Sequence, residues 1–297
     1  MEGTRASDDR RITDTAGALA SGKGHTDENF PVASVLIHPR HRGTILAFYR
    51  FARVADDVAD HETASPAEKL RLLDDMQASL LGNSRASAEA VALRQALGAR
   101  GLSQKHALDL LEAFRRDVTK LRYANWDELM DYCRYSAMPV GRFVLDVHGE
   151  DRSTWPYNDA LCAALQVINH LQDCGKDYRT LDRVYLPLDA MAEAGAKLED
   201  LKAAQASPAL RSVIAGLARK TDALLQDAKP FASRIADFRL GLEVTVIQRL
   251  AESLNRGLAK KDPLSERVHH RKTEMLGLAL LTATRFSLTR TTRKFTP

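Results

Sequence analysis

The sequence predicts an all-α, single-domain protein, and three observations support this fold class. Apolar residues recur at helical spacing over long stretches, as in Leu240, Val244, Ile247, Ala251 and Leu254. Aromatic residues make up only 6% of the 297 residues, and runs of β-branched residues are rare, which disfavours a β-rich fold. Ten prolines and sixteen glycines leave long stretches free to be helical. A single large helical domain fits this length.

Helical segments follow one another along most of the chain. Residues 1–27 are polar and rich in Gly, Ser, Thr and charge, so we expect a flexible arm before a domain that covers residues 28–290. Ser65 and Pro66 are a typical helix start, and Ser103 is a second candidate cap. Pro139 and Gly141 are expected to break the regularity of one helix, and Gly175 that of another. Helices are predicted at about 42–61, 66–81, 103–118, 126–149, 158–180, 208–260 and 265–289, with a connector at 183–195 and a basic tail at 291–297.

Charge and cysteine content exclude several classes of protein. Lys and Arg number 43 and Asp and Glu 39, a net charge of +4, and no nucleic-acid-reading motif is present, so no nucleic-acid partner is expected. The small basic excess suits a phosphorylated substrate or an anionic membrane surface. Cys133, Cys162 and Cys174 have no CxxC spacing and no signal peptide precedes them, which predicts reduced thiols in a cytoplasmic protein. No run of eighteen apolar residues exists.

The first group of polar residues that suggests chemistry lies in the helix predicted at 42–61. At about 100° per residue, Tyr49, Arg53, Asp56 and Asp60 fall within an arc of about 60°, with Asp57 on its flank. The rest of this helix is mostly apolar. A polar stripe on a helix that is otherwise suited to burial indicates that the stripe faces a site rather than bulk solvent.

The helix predicted at 158–180 carries a second polar stripe. Gln166, Asn169, His170, Asp173 and Asp177 occupy an arc of about 100°, and leucine, valine, isoleucine and alanine cover most of the remaining circumference. Two aspartate pairs at i and i+4 would repel each other in one cavity without cations. Mg²⁺ prefers carboxylate oxygens and is often shared with substrate phosphates, to which Arg53 would add a direct partner.

Two other interpretations of these stripes remain open. A DxxxD pair is often only a solvated helical face. His170, Asp173 and Asp177 also have the spacing of zinc ligands, but zinc prefers nitrogen and sulfur ligands in a tetrahedron. Cys174 points about 100° away from Asp173 on the helix, which disfavours a compact zinc site.

Three stretches of the chain resemble the squalene/phytoene synthase family. They are YRFARVADDVAD at 49–60, YCRYSAMPVGR at 132–142 and QVINHLQDCGKDYRTLDRVYLP at 166–187, and the similarity runs from Glu28 to about Leu281. Within the family, SGKGHTDENFPVAS at 21–34 and NHLQDCGKDYR at 169–179 most resemble the hydroxysqualene synthase branch of hopanoid biosynthesis. Asp182 and Cys174-Gly175 depart from the commoner pattern, and neither departure removes an acidic motif residue.

The resemblance implies an isoprenoid-synthase-type helical bundle around a central active-site cavity. It implies that Asp56, Asp57 and Asp60 form the first metal-binding motif, and that Asn169, Asp173 and Asp177 form the second. The candidate catalytic residues are Tyr49, Arg53, Tyr132 and Tyr135. The candidate substrate-binding residues, carried over from the family or in phase with its motifs, are Arg53, Gln166, Arg183 and Tyr185 near the diphosphate, and Ala137, Val140 and Gly141 around the prenyl pocket.

The resemblance also implies a reaction. Mg²⁺, with Mn²⁺ as a substitute, would assist the ionisation of presqualene diphosphate, and the rearranged cation would be captured by water to give hydroxysqualene without NADPH. Tyr132 or Tyr135 would face the cation, through ring π-density or a hydroxyl. The alternatives are head-to-head condensation of two farnesyl diphosphates, phytoene synthesis, or a catalytically silent assembly factor of the same fold.

The last part of the chain suggests a further contact. Met275–Leu288 is mildly amphipathic, and Arg285, Arg290, Arg293 and Lys294 make it basic. This pattern predicts either a packed terminal helix with a charged tail or a peripheral contact with the inner face of the cytoplasmic membrane. Neighbouring enzymes of the same pathway are additional candidate partners.

Overall fold

The computed structural model of the chain describes residues 37–271, 273–274, 277–278 and 281–282. This part of the chain is helical and contains no β-strand, which confirms the predicted fold class; one isolated bridge pairs Arg122 with Val184. The helices are α1 (Pro39–Asp60), α2 (Pro66–Leu81), α3 (Ala88–Gly98), α4 (Lys105–Thr119), α5 (Trp126–Ser136), α6 (Met138–His148), α7 (Trp155–Leu181), α8 (Leu188–Ala194), α9 (Pro208–Asp227), α10 (Phe231–Arg234) and α11 (Phe238–Leu258).

Local capping explains where several of these helices begin and end. The Ser65 hydroxyl accepts a hydrogen bond from the Glu68 amide at 3.2 Å, and Pro66 occupies the first helical position of α2. Gly82 ends α2 in the left-handed region at φ 93°, which glycine adopts without strain. The predicted bounds of α2 are therefore confirmed. Ser103 does not cap α4 directly; α4 begins after Gln104, which makes no side-chain cap bond.

The structure divides two of the predicted helices. The predicted helix at 126–149 is two helices, α5 and α6, that meet at Ala137, because Pro139 lacks the N–H that would continue the α5 hydrogen-bond ladder. The predicted single helix at 208–260 is wrong. It consists of α9, α10 and α11, and the breaks lie at Ala228–Pro230 and at Ile235–Asp237, where Asp237 caps α11.

Other differences concern short elements and the chain ends. Gly175 does not interrupt α7, which begins at Trp155, and α3 and α8 are helices that the sequence pattern did not predict. Residues 265–271 are not helical, whereas 273–274, 277–278 and 281–282 are. The predicted arm at 1–27, the tail at 291–297 and the basic residues Arg285, Arg290, Arg293 and Lys294 lie outside the described residues.

Two apolar clusters hold the bundle together. One joins α1, α2, α3, α4 and α6, and includes the stacked rings of Phe48 and Phe143, whose centroids are 3.9 Å apart. The other joins α5, α7, α9 and α11. Helices α1 and α7 belong to different clusters, and a cavity lies between them. None of the helices in the described ranges is long and apolar enough to cross a membrane.

Candidate active site

A cavity of about 430 Å³ lies between α1, α4, α6, α7 and α11. Its walls are mostly apolar, and Ile37 and Asp56 both line it, so it follows α1 over most of the length of that helix. Tyr49, Arg53 and Asp56 give one end of the cavity a polar wall. The cavity therefore combines a long apolar chamber with a charged end.

The first aspartate group lies at this charged end and is paired with Arg53. The Arg53 guanidinium contacts Asp56 at 3.1 Å and Asp57 at 2.8 Å. The Asp56 side chain retains 38% exposure because it faces the cavity, whereas that of Asp57 is 6% exposed. Burial by the surrounding protein, followed by the negative charge of Asp60, raises the pKa of Asp56 to about 8, and Arg53 opposes this shift.

The second aspartate group is not among the described residues that line this cavity, but it lies near Asp60 of the first group. Burial raises the pKa of Asp177 to about 7, and the charges of Asp173 and then Asp60 add to this shift. Because the carboxylate of Asp60 on α1 acts on Asp177 on α7, the two helices bring their acidic residues close together. Asn169 lies one turn before Asp173 on the same helix.

Arg183 joins the acidic residues to the backbone around them. Its guanidinium donates to Asp60 at 2.5 Å, to the Ala59 carbonyl at 2.9 Å and to the Asp117 carbonyl at 2.9 Å. The Lys69 ammonium donates to the same Ala59 carbonyl at 3.0 Å. Two cations therefore lie side by side next to Asp60. Sequence reasoning missed Lys69, because its place in an ordinary amphipathic helix gave no sign of this contact.

Asp117 is a second residue that the sequence analysis missed. Its carboxylate accepts hydrogen bonds from the hydroxyls of Tyr132 at 2.9 Å and Tyr185 at 2.7 Å, and its side chain is buried. One signal was present in the sequence: Asp117 is in phase with Leu110 and Phe114 on the apolar face of α4, where an aspartate is unusual.

The remaining predicted residues lie at different distances from the cavity. Val140 and Gly141 line it, and Ala137 is buried at the junction of α5 and α6. Neither Tyr132 nor Tyr135 is among the described residues that line the cavity: the Tyr132 hydroxyl donates to Asp117, and the Arg116 guanidinium lies 4.2 Å from the ring centroid of Tyr135. Gln166 is hydrogen-bonded to His170 at 3.1 Å.

Gly141 allows α6 and α7 to approach each other beside the cavity. A Cβ atom at this position would lie 1.9 Å from the Asn158 amide oxygen and 2.7 Å from the Cys162 sulfur. No other amino acid fits without displacement of these side chains. This part of the wall of the apolar chamber is therefore formed by a close contact at glycine.

The donor atoms of the acidic end fit a magnesium ion better than a zinc ion. Among the residues that the structure describes, no three His, Cys, Asp or Glu side chains are grouped closely enough to hold a metal alone. Zinc would need such a group, and the His170 ring instead stacks on Tyr185 with its centroid at 3.6 Å. Mg²⁺ typically takes one or two carboxylates, waters and substrate phosphates, and needs no complete protein cage.

Comparison with known proteins places the chain in a family. A profile of squalene/phytoene synthases matches residues 23–274. The chain belongs to the squalene/phytoene synthase family. This confirms the resemblance that the three stretches around the aspartates indicated, and the match includes both aspartate helices and Arg183.

The family relatives include two with high identity over nearly their whole length. A hydroxysqualene synthase of Rhodopseudomonas palustris is 61% identical over 88% of this chain and 90% of its own length. A hydroxysqualene synthase of Zymomonas mobilis is 59% identical over 95% of this chain and 98% of its own length.

Solved structures show the same fold. The crystal structure of the squalene synthase HpnC from Alicyclobacillus acidocaldarius has a TM-score of 0.69 and 30% identity, and the match covers 83% of this chain and 92% of that one. A dehydrosqualene synthase solved in complex with a ligand has a TM-score of 0.74 at 20% identity, a likeness of fold alone.

Proposed function

We propose that the chain is a hydroxysqualene synthase, which converts presqualene diphosphate and water into hydroxysqualene and diphosphate. The observation that carries this proposal is the identity of about 60% to two proteins of that name, over 88% and 95% of the chain. The cavity supports it, because a long apolar chamber that ends in charged side chains suits a prenyl diphosphate. No reductant takes part in this reaction.

The acidic residues are proposed to hold Mg²⁺, which Mn²⁺ can replace. Asp56 and Asp60 on α1 and Asn169, Asp173 and Asp177 on α7 would supply the oxygen ligands, and Asp57 would hold Arg53 in place beside them. The raised pKa values of Asp56 and Asp177 support this proposal, because they show that the ionised carboxylates are destabilised when no cation is bound beside them. When bound, the ions supply positive charge that stabilises the departing diphosphate.

The cationic side chains at this end are proposed to bind the diphosphate directly. Arg53 lines the cavity, and its planar guanidinium suits bidentate contact with phosphate oxygens. Arg183 and Lys69 share the Ala59 carbonyl, which holds both charges beside Asp60. Tyr49 lines the cavity one turn before Arg53.

The apolar walls are proposed to hold the carbocation and to exclude bulk water. Val140 and Gly141 form part of this wall, and Ala137 is buried at the junction of α5 and α6. Of the two candidate tyrosines, we propose Tyr132 as the one that faces the cation. Arg116 covers the ring of Tyr135, and a ring that already faces a guanidinium is a poor partner for a second cation.

One experiment tests both the substrate and the product. The purified protein with Mg²⁺ is incubated separately with presqualene diphosphate, with farnesyl diphosphate and with geranylgeranyl diphosphate, and the products are identified by mass spectrometry. We expect hydroxysqualene from presqualene diphosphate alone. Squalene or presqualene diphosphate formed from farnesyl diphosphate would identify a condensing enzyme, phytoene from geranylgeranyl diphosphate a phytoene synthase, and no product from any of them a silent factor.

Variants of the acidic residues test the metal assignment. Asp56→Asn and Asp173→Asn are expected to abolish turnover while the far-UV circular dichroism spectrum stays unchanged. Asp75→Asn is the matched control, because Asp75 is a partly exposed aspartate on α2 whose side chain pairs only with Arg71 among the described contacts. Full activity of the Asp173→Asn protein would contradict the assignment.

Localisation is proposed to be cytoplasmic, with a peripheral contact between the basic C-terminal segment and the inner membrane face. The segment lies outside the described residues, so its sequence alone supports this proposal. Flotation with liposomes that contain anionic lipid tests it: binding that weakens with salt is expected, and its absence would refute the surface contact.

A further inference from the structure

The residue that ends α7 has an unusual backbone conformation. Asp182 lies directly before Arg183 and has φ 51° and ψ 31°. Among the residues that the structure describes, it is the single non-glycine residue with a positive φ. A side chain in this left-handed region strains the backbone, and such residues persist where the surrounding structure holds them in place. The contacts of Asp182 therefore show what the conformation serves.

The side chain of Arg122 holds Asp182 through both its carboxylate and its backbone. The Arg122 guanidinium donates to Asp182 Oδ1 at 2.6 Å and to the Asp182 carbonyl. It also donates to the Leu121 carbonyl at 2.8 Å and lies 5.5 Å from the ring centroid of Tyr178 on α7. Because Arg122 lies between α4 and α5, one side chain ties the connection of these helices to the end of α7.

Both peptide groups that flank Arg183 are fixed by hydrogen bonds. The preceding peptide group is held at both ends. Its carbonyl, that of Asp182, accepts from the Arg122 guanidinium, and its N–H donates to the Asp177 carbonyl at 3.2 Å. The N–H of the following peptide group, that of Val184, donates at 2.9 Å to a carbonyl of the connection between α4 and α5. These two peptide groups set the direction in which the Arg183 side chain leaves the backbone.

The guanidinium of Arg183 depends on this direction. It donates to Asp60 Oδ1 and to the Ala59 carbonyl at the end of α1, and to the Asp117 carbonyl on α4. A planar guanidinium presents its donors in a fixed arrangement, so it reaches three such acceptors together from one position. The side chain is 7% exposed, which leaves little room for another arrangement. A rotation of the backbone at Asp182 would therefore move the guanidinium away from Asp60.

We propose that Arg122 and Asp182 form a positioning pair that holds Arg183 against Asp60 of the first aspartate group. The inference rests on the proposed function, in which Arg183 binds the diphosphate, and both members of the pair act through Arg183. The pair itself is partly exposed, with 25% of the Arg122 side chain and 65% of the Asp182 side chain accessible, so it contributes little to stability. Its role is the position of one guanidinium rather than the stability of the fold.

The rate of diphosphate release from presqualene diphosphate and Mg²⁺, compared with thermal stability, tests the pair. We expect Arg122→Ala to lower kcat about fivefold, because a small displacement of a positioning group has a large effect on rate. Its unfolding temperature should stay within about 2 °C of the wild type. Arg115→Ala is the matched control: Arg115 on α4 pairs with Asp74 on α2 at 2.7 Å, with side chains 21% and 67% exposed. Its kcat should equal that of the wild type.

Two double variants test whether Arg122 acts through Arg183. In the Arg183→Lys protein the guanidinium is absent, so the addition of Arg122→Ala should lower kcat by no more than about twofold. In the Asp182→Gly protein the left-handed conformation carries no strain, so Arg122→Ala should again lower kcat by no more than about twofold. A fivefold loss in either double variant relative to its parent, or an unchanged kcat for Arg122→Ala alone, overturns the inference.

Hydrogen–deuterium exchange provides a measurement that does not depend on activity. A peptide that covers residues 182–187 contains the amides of Arg183 and Val184, and its exchange should be at least about threefold faster in Arg122→Ala and unchanged in Arg115→Ala. Exchange equal to that of the wild type in Arg122→Ala overturns the inference. A wild-type protein that releases no diphosphate from presqualene diphosphate refutes the proposed function instead, and the exchange measurement then still decides whether the pair holds Arg183.

Discussion

The acidic end of the cavity predicts that the metal-free protein loses stability as the pH rises from about 6 to 8. In the folded chain the pKa of Asp177 is about 7 and that of Asp56 about 8, whereas both release their protons near pH 4 when unfolded. Between these limits the folded state holds protons that the unfolded state has lost. A raised carboxyl pKa therefore contributes stability below pH 4 that disappears as the pH passes the folded pKa.

The size of this effect follows from the number of protons retained. One proton held only by the folded state changes the unfolding free energy by about 1.4 kcal/mol per pH unit. Asp56 is 38% exposed and solvent screens part of its effect, so we count one proton for Asp56 and Asp177 together rather than two. This gives a loss of about 2 kcal/mol between pH 6 and 8, or about 5 °C in the unfolding temperature.

Magnesium should reverse the trend, because it binds only the ionised carboxylates. At a free concentration 100 times its Kd, an ion adds about 2.7 kcal/mol at pH 8 and much less at pH 6, where protons compete for the same oxygens. Thermal unfolding by circular dichroism in EDTA and in Mg²⁺, at both pH values, measures this difference.

Two outcomes would refute the reasoning. One is a metal-free protein whose stability is constant or rises from pH 6 to 8. The other is an equal response to Mg²⁺ at both pH values. Asp56→Asn/Asp177→Asn is the matched variant: it should unfold at nearly the same temperature at pH 6 and 8 in EDTA, and Mg²⁺ should stabilise it little.

Three further perturbations have definite expected results. Gly141→Ala gains about 1 kcal/mol of helix propensity, but its Cβ atom displaces the Asn158 side chain. We therefore expect the free energy of unfolding, measured by urea denaturation, to fall by about 1–2 kcal/mol. An unchanged free energy of unfolding would show that Asn158 moves aside without cost. Arg183→Lys keeps the charge but cannot reach three acceptors, and kcat should fall at least about tenfold, an effect of about 1.4 kcal/mol; unchanged kcat would remove Arg183 from the diphosphate site. Ser65→Ala removes the cap of α2 and should cost about 1 kcal/mol without a change in KM, and a KM change would reveal coupling between α2 and the site.

Patterns with a period of one helical turn carried the successful sequence predictions. The polar stripes of α1 and α7 could be predicted because the aspartates share one helical face with other polar residues, while the rest of each helix is mostly apolar. The electrostatic interaction between Asp60 and Asp177, however, depends on how α1 and α7, which are distant in the sequence, are packed relative to each other. Helical phase predicts which residues share a face, and only the tertiary fold decides what that face meets.

Contacts made across elements account for what the sequence did not predict. Asp117 is an isolated aspartate in α4, and its importance comes from Tyr132 on α5 and Tyr185 after α7, which converge on it. The break of the predicted helix at 208–260 has a local cause that was legible: Pro230 lacks an N–H, and Asp237 restarts the helix as a cap. A strong apolar stripe after residue 240 outweighed that signal.

The place of the aspartates along their helices has an energetic consequence. Asp56 and Asp60 lie in the last two turns of α1, and Asp177 lies in the last two turns of α7, where the unpaired carbonyls give each helix a partial negative charge. Carboxylates at this end add to the negative potential instead of relieving it. The Ala59 carbonyl is one example, because it accepts hydrogen bonds from two cationic side chains, those of Lys69 and Arg183. The C-terminal ends of α1 and α7 thus lie near the same acidic residues. Their backbone carbonyls add to the negative potential there and so contribute to the affinity for cations.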